Sequence, residues 1–240
     1  MNVLVACEES QEVCKAFRAL GHDAYSCDIQ PCSGGHPEWH IQDDVLNYIN
    51  GDTLPLNWKR LAPFPMFLTQ DGKLHTMPKR WDLIIAHPPC TYLTNAGARW
   101  LWAGGRLNQD RYKKGLEGAA FFDCFLKAQC EKIAIENPTP ASVFNLPKCT
   151  QVIQPYEFGH PYSKRTCLWL KGLPHLTPTE IVTDHVPFVS SGLYTKTHDS
   201  KYKGASRKGG AAKARSKTFP GIARAMAEQW GKCVDNFDIK

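Results

Sequence analysis

Two short apolar runs, each ending in a polar tip that contains proline, constrain the fold of this 240-residue chain most strongly. Residues 82–90 read DLIIAHPPC, and residues 132–138 read KIAIENP. An apolar run with an abrupt polar end is typical of a buried strand in a parallel sheet. The carboxyl ends of such strands line the ligand crevice of an open α/β sheet. We therefore expect Cys90, Glu136 and Asn137 to meet at one crevice, equipped for covalent attack with proton donation.

The order of strand and helix signals predicts an α/β fold. We expect a mainly parallel, Rossmann-like central sheet with helices on both faces. Strands are predicted over residues 3–6, 24–27, 82–86, 132–135, 151–158 and 166–170. Helices are predicted over residues 9–20, 43–49, 108–130 and 219–230. Gly21 is the expected C-cap of the first helix, and Ser216 or Thr218 is the expected cap of the last.

The composition fits a single domain over residues 1–240. Residues 51–80 lack clear periodicity and are interpreted as an irregular surface excursion, and residues 219–231 as a closing helix. No apolar run approaches the length of a membrane span, and the first residues lack the basic start of a signal peptide. The ten cysteines are scattered, which is typical of reduced thiols. We therefore expect a cytoplasmic protein that makes no membrane contact.

A zinc site is the alternative interpretation of four neighbouring side chains, Cys27, Cys32, His36 and His40. The gap between the cysteine pair and the histidine pair is shorter than in zinc fingers. Cys27 also falls inside a predicted apolar strand. We therefore expect no metal ion in this protein.

A basic segment lies near the carboxyl end. Residues 196–217 contain eight Lys or Arg and one Asp, a net charge of +7, whereas the whole chain carries +6. The remainder of the chain is therefore close to neutral. A solvated, disordered surface loop is one explanation. The other is contact with a polyanion, for which nucleic acid is the usual partner.

The two strand tips, together with a third motif, resemble those of the DNA (cytosine-5)-methyltransferases, and most closely the short phage-type members. Residues 88–90 resemble the Pro-Cys nucleophile motif, and residues 136–137 resemble the Glu-Asn motif, although Pro138 stands where Val is usual. Residues 158–166 resemble the Gly-x-Pro-Gln-x-Arg-x-Arg motif without its Gln and last Arg. The resemblance implies the class I fold of methyltransferases that use S-adenosylmethionine.

The resemblance also implies a cofactor site at the amino end. Residues 5–10 occupy the position of the cofactor loop but lack its glycines. Asp28 falls where the family binds the cofactor ribose, and Asp44 where it meets the adenine amine, although Asp43 or Asp44 has the alternative role of a helix cap. The free N–H groups of the helix that Ser10 opens are expected to hold the cofactor carboxylate. The implied cofactor contacts are Cys7, Glu8, Ser10, Asp28, Asp44, His87 and Pro88.

The resemblance assigns the chemistry to four residues: Cys90, Glu136, Asn137 and Arg165. The Cys90 thiolate would add to carbon 6 of cytosine, while Glu136 hydrogen-bonds the ring nitrogen and the amine. Arg165 or Lys164 would steady the carbonyl oxygen of the base. The target base must leave the duplex, and the segment 91–106, with its two tryptophans, is expected to close over it.

DNA is the implied partner, and no obligate protein partner is inferred. The expected DNA contacts are Lys164, Lys201, Lys203, Arg207, Lys208, Lys213 and Arg215. Residues 171–218 form a reduced target-recognition segment, which predicts short or relaxed sequence specificity. If a phage encodes the chain, it acts in the host cytoplasm. Two alternatives stay open: an enzyme that modifies carbon 5 of a free cytidine nucleotide such as dCMP, and a DNA-binding decoy with degraded catalysis.

Overall fold

A computed structural model describes residues 1–51, 65–98, 100–103, 105–188 and 217–234, and its centre is a seven-stranded sheet. The strands of this sheet, numbered along the chain, are β1 (Asn2–Ala6), β2 (Asp23–Asp28), β3 (His40–Gln42), β4 (Leu83–Ala86), β5 (Ile133–Pro138), β6 (Gln151–Ile153) and β7 (Thr166–Lys171). Their spatial order is β6-β7-β5-β4-β1-β2-β3.

The sheet is parallel except for one strand. β1 pairs in parallel with β2 and β4, β2 with β3, and β4 with β5. β7 is antiparallel to both of its neighbours, β5 and β6. The strand order reverses between β1 and β4, which creates a crevice beyond their carboxyl ends. This order, with the antiparallel strand inserted beside β5, is that of the class I methyltransferase fold, and the predicted fold class is confirmed.

Helices cover both faces of the sheet. They are α1 (Glu12–Ala19), α2 (Asn95–Ala98), α3 (Gln109–Leu126) and α4 (Pro220–Trp230). Strand side chains alternate between the faces. Val3 and Val5 of β1 therefore pack with Phe17 of α1 and Trp230 of α4 on one face. On the other face, Leu4 packs in the cluster that contains Phe122 and Phe125 of α3.

The helix ends follow the local sequence in most cases. Gly21 follows α1 with a φ of 80°, as expected of a residue after a helix end. Asn108 caps α3 by accepting a hydrogen bond from the backbone N–H of Arg111. The prediction that Thr218 caps α4 is wrong, because Phe219 is the N-cap residue. The Phe219 side chain makes no capping hydrogen bond. Ser216 lies outside the described residues.

The segment 51–80 is more regular than predicted where the structure describes it. Met66–Leu68 and Leu74–Thr76 form an antiparallel hairpin, and Phe67 packs edge-on against the Tyr25 ring with centroids 4.9 Å apart. Residues 52–64 lie outside the described part of the chain. The strands of the two other short pairs are Trp102–Ala103 with Arg106–Leu107, and Tyr162–Ser163 with Val186–Pro187.

Two predicted elements are reduced to three residues each, and the helices predicted over residues 9–20 and 108–130 are shorter, at Glu12–Ala19 and Gln109–Leu126. The helix predicted over residues 43–49 is one 3₁₀ turn at Val45–Asn47, and the strand predicted over residues 151–158 ends at Ile153. The other 3₁₀ turns are Pro37–Trp39, Ser142–Phe144, Pro155–Glu157 and Gly231–Val234. Within the described residues, no helix combines the length and the apolar character needed to cross a membrane.

Candidate active site

Strand register brings three chemically active side chains to one edge of the sheet. Ala86 of β4 is the register partner of Ala6 in β1 and of Ile135 in β5. Parallel strands in register present their following residues side by side. The residues that follow these partners are Cys7, His87 and Glu136. The two strand tips that the sequence singled out therefore lie at the same edge of the sheet.

Two hydrogen bonds connect the tips of β4 and β5. Nδ1 of His87 donates to Oε2 of Glu136 over 2.9 Å. Nδ2 of Asn137 donates to the backbone oxygen of Pro88 over 2.9 Å. Asn137 is 1% exposed and Pro88 is buried, so the second bond lies in the interior. The peptide that leads to Cys90 is thereby attached to the strand that carries Glu136.

Cys90 is half-buried at the start of a turn. Its backbone oxygen accepts hydrogen bonds from the N–H groups of Leu93 and Thr94. The chain after this turn is attached again to the end of β5, because the N–H of Asn95 donates to the oxygen of Thr139. The thiol therefore lies on a short segment that is held at both ends.

The pair of His87 and Glu136 is mostly shielded from solvent. The two side chains are 9% and 13% exposed. Burial alone would raise the pKa of Glu136, but the hydrogen bond from His87 and the positive charge of Lys164 outweigh burial and lower it. Burial alone would lower the pKa of His87, but the hydrogen bond and charge of Glu136, with the charge of Glu8, raise it. Both pKa shifts therefore favour the charged forms of the pair, an imidazolium against a carboxylate.

Two buried atoms of this cluster have no hydrogen-bond partner among the described residues: Nε2 of His87 and Oδ1 of Asn137. Buried polar atoms are normally paired, and an unpaired one costs about 1–3 kcal/mol. His87 is predicted above as a cofactor contact, whereas its described bond joins it to Glu136. Sequence reasoning missed this contact, because it depends on the register of two strands distant in sequence.

The two cations expected at the base lie in different surroundings. Arg165 is exposed, and its Nε donates to the hydroxyl oxygen of Thr139 over 3.1 Å. Lys164 is half-buried, and its charge lowers the pKa of Glu136. Its Nζ is also 5.8 Å from the centre of the Phe219 ring. The charge of Lys164 therefore acts on the Glu136 carboxylate, whereas Arg165 is hydrogen-bonded to Thr139, just after the end of β5.

In the loop after β1, two non-glycine residues adopt a backbone conformation that glycine usually provides. Cys7 and Gln11 both have a φ of 59°, in the left-handed region that non-glycine residues rarely adopt. Such conformations cost about 1–3 kcal/mol each and cluster at functional sites. The N–H groups of Cys7 and Glu8 both donate to the oxygen of Cys27 and hold the loop against β2. Burial raises the pKa of the Cys7 thiol, so this cysteine is not a competing thiolate.

Glu8 occupies the anion site at the start of α1. Its carboxylate oxygens accept hydrogen bonds from the N–H groups of Val13 (2.7 Å) and Cys14 (3.2 Å). Burial raises the pKa of Glu8. The prediction that these helix N–H groups hold the cofactor carboxylate is wrong for these two donors, because the protein satisfies them with its own carboxylate.

Asp28 is the last residue of β2, and Asp44 lies two residues after β3, a strand that the sequence analysis did not predict. One oxygen of Asp28 accepts a hydrogen bond from the N–H of Gln30 over 2.8 Å, and burial raises the pKa of this carboxyl group. Asp44 caps the 3₁₀ turn at Val45–Asn47 by accepting from the N–H of Leu46. The capping alternative considered for Asp44 is therefore present in the structure.

Gln11 is a buried residue of the loop after β1 that the sequence analysis did not single out. It is fully buried, and its amide donates to the oxygen of His36 and accepts from the His36 N–H. A Cβ at Gly34 would lie 2.5 Å from the oxygen of Ser10, a buried residue, so glycine is required there. The adjacent glycines at 34 and 35 were the available signal of this close approach.

The histidines considered for zinc are engaged otherwise. His36 stacks on the Trp39 ring with centroids 3.9 Å apart and pairs with Glu38. His40 is buried, with its ring nitrogens 2.9 Å from the hydroxyl of Ser26 and 2.8 Å from the oxygen of Gln30. Within the described ranges, no group of three His, Cys, Asp or Glu is arranged to hold a metal ion.

An aromatic cleft of about 520 Å³ lies beside the segment 91–106. Its lining residues are Tyr92, Trp100, Trp102, Asn108, Asp110, Arg111 and Lys114. The two tryptophans are each 59% exposed. The Arg111 guanidinium donates to the oxygens of Thr91 and Gly97 and lies 5.0 Å from the centre of the Tyr92 ring. Closure of this segment over a base stays a prediction.

The start of α4 packs against the third motif. A Cβ on Gly221 would lie 1.9 Å from the oxygen of Phe158, and its N–H donates to Nε2 of His160 over 2.9 Å. The closing helix therefore contacts the third motif at Phe158 and His160. The expected DNA contacts outside the described residues are Lys201, Lys203, Arg207, Lys208, Lys213 and Arg215.

Two solved structures share part of this architecture. One is described as a DNA modification methyltransferase encoded within an E. coli prophage, with 14% identity and a TM-score of 0.40. The other is the Entamoeba histolytica methyltransferase EhMeth, with 15% identity and a TM-score of 0.41. Each match covers 76% of this chain but 52% and 57% of the respective neighbour, so the chain spans little more than half their length. Similarity of this extent carries no argument about activity. No protein-family model and no curated protein matches the chain.

Proposed function

We propose that this protein methylates carbon 5 of cytosine in DNA, with S-adenosylmethionine as methyl donor and Cys90 as covalent nucleophile. The observation that carries the proposal is the connection between two strand tips. The Asn137 bond to Pro88 and the His87 bond to Glu136 hold a half-buried thiol and a buried carboxylate at one edge of the sheet. That combination is suited to nucleophilic addition assisted by a general acid.

The proposed chemistry begins with addition of the Cys90 thiolate to carbon 6 of the extruded base. The electron pair of the C5=C6 bond forms a C4=C5 bond, and the pair of the C4=N3 bond moves to N3, which gains a proton through Glu136. Lys164 or Arg165 steadies the carbonyl oxygen. Carbon 5 is then nucleophilic and takes the methyl group. Loss of the C5 proton to a base and departure of the thiolate complete the turnover.

The residues at the ends of β1, β2 and β3 fit the proposed cofactor. The left-handed backbone at Cys7 and Gln11 forms the turn that glycines usually supply. Asp28 is the last residue of β2, and Asp44 lies two residues after β3. Asp28 suits ribose hydroxyls, and Asp44 suits the adenine amine. S-adenosylmethionine bound there supplies an electrophilic methyl group. Because Glu8 occupies two N–H groups of α1, the cofactor carboxylate must use other donors.

We propose DNA as the substrate because residues 196–217 carry a net charge of +7. An enzyme that acts on a free nucleotide does not require such a basic segment. A variant with six of these cations replaced by Gln is expected to bind all DNA sequences more weakly and with a smaller salt dependence. The six are Lys201, Lys203, Arg207, Lys208, Lys213 and Arg215. The small segment 171–218 supports short or relaxed sequence specificity. The need for a reduced thiol supports a cytoplasmic location.

The proposal is tested by the position of the transferred methyl group. Duplex DNA and, in parallel, dCMP are incubated with S-adenosylmethionine that carries a trideuterated methyl group, and nucleosides are identified by mass spectrometry. The expected product is deuterated 5-methyldeoxycytidine from DNA, absent with Cys90→Ala. Methylation of the exocyclic amine would contradict the covalent mechanism. Product from dCMP alone would favour the free-nucleotide alternative, and no product from either would favour the decoy.

A further inference from the structure

The resting charge state of the site raises a chemical problem. The ionised carboxylate of Glu136 is favoured, because His87 and Lys164 together lower its pKa despite burial. A general acid must carry a proton when it acts. The carboxylate alone therefore cannot protonate N3 of the base, and a neighbouring group has to supply the proton.

We propose that His87 stores this proton and passes it to the base through Glu136. This inference rests on the proposed function and assigns His87 as a positioning and proton-supplying residue, in place of a cofactor contact. The geometry that supports it is direct: Nδ1 of His87 is 2.9 Å from Oε2 of Glu136, within a buried pair. Strand register maintains the contact, because each residue follows a paired position of β4 or β5.

The surroundings favour the protonated form of His87 but leave one of its two donors unpaired among the described residues. A protonated imidazole has two N–H donors, and the second one, at Nε2, has no acceptor among the described residues. The imidazolium is therefore stabilised by the hydrogen bond from Nδ1 to Glu136 and by nearby charges. Those charges are Glu136 on β5, Glu8 in the turn after β1, and the opposing Lys164 before β7. An imidazolium with one satisfied donor loses its proton more readily than one with two.

The proton balance is complete without another reagent. As the bond between the Cys90 sulfur and carbon 6 forms, N3 gains a proton from the Glu136 carboxyl group and the Nδ1 proton of His87 moves onto that group. One N–H bond breaks at Nδ1, one forms at N3, and the carboxylate is ionised again. When the thiolate departs, the proton returns by the same path.

The test is the pH dependence of adduct formation on duplex DNA that contains 5-fluorocytosine. For the wild type, we expect the rate to fall as the pH rises through the raised pKa of His87. For His87→Gln, which keeps an amide donor but no transferable proton, we expect a rate about 100-fold lower at pH 8.5 and within about threefold of the wild type at pH 6, where Glu136 regains its own proton. His175→Gln, at an exposed site, is the matched control and keeps the wild-type profile.

A second measurement needs no turnover and covers the case of a poorly folded variant. Imidazole ¹⁵N NMR of the wild type is expected to show a His87 pKa above 6.5 that falls in Glu136→Gln. Parallel pH profiles for wild type and His87→Gln, or an unshifted His87 pKa in Glu136→Gln, would overturn the proton store while leaving the proposed function intact. No adduct with the wild type at any pH overturns the proposed function, and with it this inference.

Discussion

Removal of the Asn137 side chain tests whether the connection between the strand tips positions the nucleophile. Asn137→Ala breaks the 2.9 Å bond to Pro88 and leaves a buried carbonyl oxygen without its donor. An unsatisfied buried group costs about 1–3 kcal/mol. The partly compensating gain is that the unpaired Oδ1 of Asn137 is removed as well. We therefore expect the unfolding free energy to decrease by about 1 kcal/mol, the lower end of this range.

The effect on chemistry is expected to be larger than the effect on stability. Cys90 is two residues beyond Pro88, so a shift of about 1 Å in that peptide moves the thiol and costs about 100-fold in rate. Urea unfolding measures the first quantity, and the rate of adduct formation with 5-fluorocytosine DNA measures the second. The control is Asn50→Ala, which removes a 2.9 Å bond to the Gln129 N–H away from the tips. An Asn137→Ala variant that is folded and forms the adduct at the wild-type rate would refute this reasoning.

Three further predictions follow from individual contacts. Gly221→Ala places a Cβ 1.9 Å from the Phe158 oxygen, so we expect about 1–3 kcal/mol of destabilisation in urea unfolding; an unchanged midpoint would contradict this. Burial lowers the pKa of His40 below its ordinary value of 6.5, so folding stability is present above pH 6.5 and is lost as the pH falls. The His40→Gln variant is therefore expected to show a weaker acid dependence of unfolding than the wild type, and identical slopes would disprove it. Lys164→Gln removes a charge proposed above to steady the carbonyl oxygen of the base, so we expect roughly tenfold slower adduct formation; Lys164→Arg is expected to retain most of the rate, and equal losses in both variants would argue for a steric role.

Six of the seven sheet strands were predictable because they leave a local signal, whereas the three-residue edge strand β3 (His40–Gln42) was not predicted. The continuous apolar runs before residues 87 and 136 mark buried parallel strands, and the prolines after them mark where each strand ends. The alternation of strands and helices then limits the topology to few choices. The hairpin with Phe67 was not predicted, because its three-residue strands are too short to show a period of two.

The contacts within the site were less predictable than its location. The bond between His87 and Glu136 depends on the register of β4 and β5, which no local pattern encodes. Glu8 and Gln11 are polar residues in a turn, where exposure is the usual expectation, yet both are buried and bonded to backbone groups. Their roles follow from tertiary packing, which satisfies buried polar groups through residues distant in sequence.

Covalent trapping tests the central claim most directly. The protein is incubated with S-adenosylmethionine and duplex DNA that contains 5-fluorocytosine, and the products are separated on a denaturing gel. Because fluorine at carbon 5 cannot be lost as a proton is, a working enzyme remains bonded to the DNA. We predict a shifted band that is absent with Cys90→Ala, and a peptide map that locates the DNA adduct on Cys90. A shifted band that persists in Cys90→Ala, or no band although 5-methyldeoxycytidine forms in ordinary DNA, would contradict the account.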